Sequence, residues 1–150
     1  MYLRGYIILA VSILVIIVNP AYGQQTSSEI IALHHDELEW QQTSIGWEVA
    51  ALFGDMSSND TSIVRVRMPP NWDAPPHTHE RTELEVVSVH SGTLHVSFGV
   101  STGRENAQIY GPGAFIAYPA GTTTQLFTGE EEVVIDIYHL RNPAEDIAED

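Results

Sequence analysis

The chain has 150 residues, of which 20 are acidic and only 6 basic, for a formal net charge of −14. Nucleic acid and anionic membrane surfaces make poor partners for so acidic a protein. The absence of cysteine excludes disulfides, iron–sulfur ligation and thiolate nucleophiles.

The first segment reads as a targeting signal. Arg4 precedes a thirteen-residue apolar run from Tyr6 to Val18, and Asn19-Pro20-Ala21-Tyr22-Gly23 breaks it. A basic start, a short apolar stretch and small residues at Ala21 and Gly23 predict a secretory signal peptide over residues 1–23, cut before Gln24. The run falls short of the roughly 20 apolar residues that span a bilayer. The expectation is export to the periplasm or beyond, with no stable membrane contact after cleavage. Residues 24–150 then form one domain, long enough for a core of its own.

Glu29 to Trp40 predicts a short helical turn or irregular arm that seats Trp40 against the domain. His34 and His35 are adjacent, about 100° apart on a helix, and read as surface residues. From Trp47 the hydrophobic period becomes two, marking a barrel core from about 47 to 140. Trp47 to Phe53 is a strand closed by Gly54-Asp55, and Ser57 to Ser62 is a loop. Ile63, Arg65 and Arg67 alternate with Val64, Val66 and Met68, a strand with one wet or ion-paired face. Pro69-Pro70 and Pro75-Pro76 mark strand ends, since proline cannot donate to a ladder.

The stretch Pro75 to Gly92 carries the chemistry. His77 and His79 are two residues apart, so on an extended strand both imidazoles share a face. Glu83 and Glu85 share a face in the same way. From Glu85 to Ser91, Val87 and Val89 lie on the carboxylate face, with Val86, Ser88 and His90 opposite. Gly92 turns the chain, and Thr93 to Phe98 returns as a strand. Two imidazoles and a carboxylate converging from adjacent strands are a metal-ligand set. His90 and His95 fall on the other face, towards solvent or a subunit contact.

Further strands are predicted at Ala107 to Tyr110, Ala114 to Tyr118, Thr122 to Thr128 and Val133 to His139. Glu130 to Glu132 read as the soluble tip of a hairpin between the last two. Short strands with a turn every 8 to 12 residues and no convincing helix predict an all-β sandwich or small barrel. Trp47, Trp72, Tyr110 and Tyr118 read as core or rim packing, and His139 as structural.

These motifs resemble those of the cupin superfamily. His-x-His, then Glu, six residues and Gly is matched by His77, His79, Glu85 and Gly92. Gly, five residues and Pro-x-Gly is matched by Gly113, Pro119 and Gly121. Glu85, rather than the alternate Glu83, keeps the six-residue gap to Gly92. Asp36-Glu37-Leu38-Glu39-Trp40, Val64 to Pro69 and the tail Asn142 to Asp146 resemble exported bacterial cupins of undefined activity.

The resemblance implies an all-β cupin-type double-stranded β-helix, or jelly-roll barrel, with a divalent metal ion (manganese, iron(II) or zinc) at His77, His79 and Glu85. The chain departs from the pattern in two respects: five residues separate His79 from Glu85, one more than the commonest family loop, and Thr124 stands where the family places a histidine as fourth ligand. The site then runs on three protein ligands, borrows a neighbour such as His139 or Gln125, or has lost its metal and kept its pocket. Two functional classes follow. One is a metal-dependent enzyme acting on a small molecule, with Glu83 or Tyr118 moving a proton; the other is a non-catalytic module binding a small ligand or metal. Apolar residues on both faces of several strands also predict a homodimer.

Overall fold

Alternation along the sequence becomes the two sides of a wall. Ser62, Val64, Val66 and Met68 are buried, while Ile63, Arg65 and Arg67 between them are half-buried. Apolar side chains on one face of a strand of this period need a second layer to cover them. The computed structural model supplies it. It describes residues 30–57, 60–78 and 84–141; the expected signal peptide, His79, Glu83 and the acidic tail lie outside the described residues.

Among the described residues there are ten strands: β1 (Gln41–Gln42), β2 (Glu48–Phe53), β3 (Ser62–Met68), β4 (His77–Thr78), β5 (Leu84–Ser91), β6 (Leu94–Phe98), β7 (Gln108–Tyr110), β8 (Phe115–Pro119), β9 (Thr123–Thr128) and β10 (Val133–Leu140). Two short 3-10 turns, at His35–Glu37 and Arg104–Asn106, are the remaining regular elements. The strands form a six-stranded sheet in the order β1-β2-β3-β10-β5-β8 and a four-stranded sheet in the order β4-β9-β6-β7, antiparallel throughout. This is the expected all-β jelly roll. Met68, Val87, Leu94, Val96, Leu126 and Ile135 fill the space between the sheets.

The topology corrects three local readings. β5 and β6 are not paired across the Gly92 turn but belong to different sheets, and Glu130 to Glu132 join two sheets rather than capping a hairpin. His77 and Glu85 likewise come from opposite sheets instead of adjacent strands. Turn residues look alike whether the chain folds back on its own sheet or crosses to the other. Gly92 shows what the crossing demands: its φ is +72°, and a Cβ there would lie 2.2 Å from the Glu132 carbonyl oxygen. The β5–β6 and β9–β10 crossings therefore press on one another at one end of the barrel. At that end Trp47 and Trp72 stack with ring centroids 5.1 Å apart.

The arm lies outside the barrel. Trp40 sits 4.0 Å over the Arg67 guanidinium on the outer face, a cation–π contact, and His34 and His35 are exposed as expected. Between the arm and the six-stranded sheet is a cavity of about 390 Å³, with Ile31, Leu33 and Leu38 on one side and Phe53, Ile63 and Tyr138 on the other.

Candidate functional site

Residues directly opposite one another in an antiparallel pair share a face. His139 opposes both Ser62 and Glu85, and Glu85 opposes Tyr118. Ser62, His139, Glu85 and Tyr118 thus form one row across β3, β10, β5 and β8, on the face that also carries Val64, Val87, Ile116 and Ile137. In the facing sheet, Thr124 opposes both His77 and Phe98, giving a second row across β4, β9 and β6. Both rows lie at the end of the barrel away from Gly92.

The two rows meet. The Tyr118 hydroxyl donates to Glu85 Oε1, and the Tyr118 ring meets Phe98 edge-on at 5.6 Å. His139 Nε2 lies 3.6 Å from Glu85 Oε2, an ion-pair distance rather than a hydrogen bond. Its Nδ1 lies 3.4 Å from Ser62 Oγ. Glu85 is 3% exposed, Thr124 0% and Tyr118 7%. The Thr124 hydroxyl makes no well-formed hydrogen bond with any described residue.

Burial dominates the electrostatics. Loss of water pushes the Glu85 carboxyl up from its ordinary range, opposed by the Tyr118 hydrogen bond and by the nearby charges of His139 and His77. Burial also pushes the Tyr118 phenol up, reinforced by the charge of Glu85 and their shared hydrogen bond. The phenol therefore stays protonated and serves as a donor.

His77 is fixed from behind. Its Nδ1 lies 3.1 Å from the Pro75 carbonyl oxygen. A carbonyl only accepts, so Nδ1 carries the proton and, in the neutral ring, Nε2 carries the lone pair. That is the tautomer by which a metal-binding imidazole is oriented.

Of the sequence-predicted ligands, His77 and Glu85 face the same interior. His79 lies outside the described residues, as does the alternate Glu83. Among the described residues no three His, Asp or Glu side chains converge as a ligand set. His90 points outward and pairs with Asp136, and half-buried His95 is also on an outer face. The sequence reading missed that Tyr118 holds Glu85 and that His139 borders it. Their spacing from Ile116, and from Ile135 and Ile137, is the signal that places them on the inward face; their strands' position beside β5 leaves none along the chain.

Two antiparallel sheets enclosing an apolar core, with Ser62, Glu85 and Thr124 buried at one end, define a jelly-roll barrel. The family model for the cupin domain matches residues 64–138, half of the chain, and the protein belongs to the cupin superfamily. No curated protein matches it significantly.

Among solved structures, KdgF from Halomonas sp. is 22% identical, with 76% of this chain and 96% of that one covered at a TM-score of 0.56. The polyketide cyclase RemF from Streptomyces resistomycificus is 17% identical, covering 73% and 78% at 0.60. The cupin domain of Cnp3 from Schizosaccharomyces pombe is 15% identical, covering 79% and 80% at 0.64. At such identities the likeness is one of fold.

Proposed function

We propose that this is an exported cupin that binds a small molecule at the polar end of its barrel, beside a divalent ion held by His77, His79 and Glu85. The observation that carries the reading is the buried Glu85 carboxyl, in an interior whose floor is apolar. An acid there is a poor investment for stability, and a perturbed acid in a polar cluster marks a functional site. The described donors, an imidazole with an oriented tautomer and a carboxyl group, suit manganese, iron(II) or zinc in kind. Such an ion would supply Lewis acidity to a bound oxygen atom. The chain's own residues then shape the site: Phe98 offers an apolar wall, and the Tyr118 phenol, whose one proton goes to Glu85, holds that carboxyl group.

A non-catalytic binding module is the second reading. It is favoured by Thr124, whose neutral hydroxyl is a weak metal ligand, and by the hydrogen bond that Glu85 already accepts from Tyr118.

Elemental analysis of the purified protein before and after chelation tests whether an ion is held. Calorimetric titration with manganese, iron(II) and zinc follows, on the wild type, His77→Ala, Glu83→Gln and Glu85→Gln. The metal reading expects binding that His77→Ala and Glu85→Gln abolish and Glu83→Gln spares. Absence of binding to any of the three ions leaves the ligand-binding module. Export predicts a mature mass beginning at Gln24 in protein from the native host. A homodimer seated on the outer sheet face predicts a dimer mass by light scattering at micromolar concentration.

A further inference from the structure

Tyr118 stands where three strands of the interior converge. Its phenol donates to Glu85 on β5, and its ring lies against Phe98 on β6. The Thr124 hydroxyl on β9 is close enough to oppose slightly the rise in the phenol's pKa. The backbone at 124 is pinned on both sides, by His77 and by Phe98, so it cannot retreat from a larger side chain. Thr124 is fully buried, and Phe98, its register partner, is the ring that the phenol meets edge-on. A short residue at 124 and a long one at 118 thus fill one shared volume.

Glu85 gains from this arrangement. A glutamate has three side-chain torsions, and a carboxylate left to rotate loses both order and affinity for anything it is to bind. Here one oxygen is held by the phenol and the other faces His139 at 3.6 Å.

We propose that Thr124 and Tyr118 are a matched pair that positions Glu85: the short side chain at 124 admits the phenol, and the phenol holds the carboxyl group in place. Tyr118 is then a positioning residue, acting through Glu85, and the inference rests on Glu85 being the residue that meets the bound ion. Residues that hold a metal-binding carboxylate in this way contribute about ten- to hundredfold to affinity.

The test has three readings on the full mature chain. In protein labelled at the tyrosine Cζ carbon, the Tyr118 resonance, assigned with Tyr118→Phe, should shift in Glu85→Leu, which removes the acceptor, with no ion present. Manganese affinity measured by calorimetry should fall about ten- to hundredfold in Tyr118→Phe, while the melting temperature moves by only a few degrees. Thr124→Leu and Tyr118→Ala should each lower the melting temperature, and their combination should lose less than the two losses together. An unmoved Tyr118 resonance overturns the hold on Glu85. Strict additivity at 118 and 124 overturns the matched pair. Wild-type affinity in Tyr118→Phe overturns the positioning role. A wild type that binds no manganese, but whose Tyr118 resonance shifts in Glu85→Leu, removes the metal reading and leaves the phenol–carboxyl hold standing.

Discussion

Arg65 clasps Asp136 with two nitrogens of its guanidinium: Nε lies 2.7 Å from Oδ1 and Nη2 lies 2.9 Å from Oδ2. The two residues are directly opposite across β3 and β10, and His90 Nε2 reaches the same carboxylate at 2.7 Å. Asp136 is 4% exposed although it lies on an outer face. Burial pushes its carboxyl up, but the hydrogen bonds and charges of Arg65 and His90 outweigh burial and hold it below the usual range. A depressed carboxyl contributes stability above its unfolded value, roughly pH 4, and loses it as pH falls through the folded value. Asp136→Asn should cost about 2 kcal/mol at neutral pH. In urea titrations from pH 7 to pH 2, the gap to the wild type should narrow below pH 4.

Glu85 has the opposite sign. Its folded value is raised, so the wild type loses stability as pH climbs from the ordinary value of 4.5 through the folded one. Glu85→Gln keeps an acceptor for Tyr118 and removes the buried charge. In chelator-treated protein the variant should be more stable than the wild type at neutral pH, by about 1 kcal/mol. The two should converge near pH 4, read from thermal unfolding at each pH.

Thr124→His would place an imidazole at the family's fourth ligand position, on the face shared with Leu126 and Thr128. The packing around it argues against a simple gain. Position 124 is fully buried, and overpacking of this kind costs about 1–3 kcal/mol. The melting temperature of Thr124→His should therefore drop, and differential scanning calorimetry reads the loss directly.

Gly92 and Gly121 both have positive φ, +72° and +73°, but only Gly92 is crowded. Gly121→Ala should cost about 1 kcal/mol for the left-handed backbone alone. Gly92→Ala adds a collision with the Glu132 carbonyl and should cost at least about 3 kcal/mol. Thermal unfolding of the pair separates a turn requirement from a packing requirement.

Strand positions were largely legible in the sequence because burial writes itself as a period of two. Val64, Val66 and Met68 alternate with Arg65 and Arg67, and the observed β3 begins one residue earlier than the expected Ile63. The inward face of Glu85 followed from its register with Val87 and Val89. Which strands lie side by side was not legible. β10 runs between β3 and β5, and β8 borders β5, although long segments separate them in the chain. The contacts of Glu85 with His139 and Tyr118 depend on that order, and so escaped a reading along the chain.

The two halves of the site are paired differently. Glu85 sits on a strand laddered on both sides, to β10 and to β8. Among the described residues, the strand that carries His77 pairs on one side, with β9. Backbone amides of β5 and β10 should then exchange with solvent only on global unfolding, while those of β4 open locally and far more often. Among the described residues, the Glu85 wall of the barrel is anchored on both sides and the His77 wall on one.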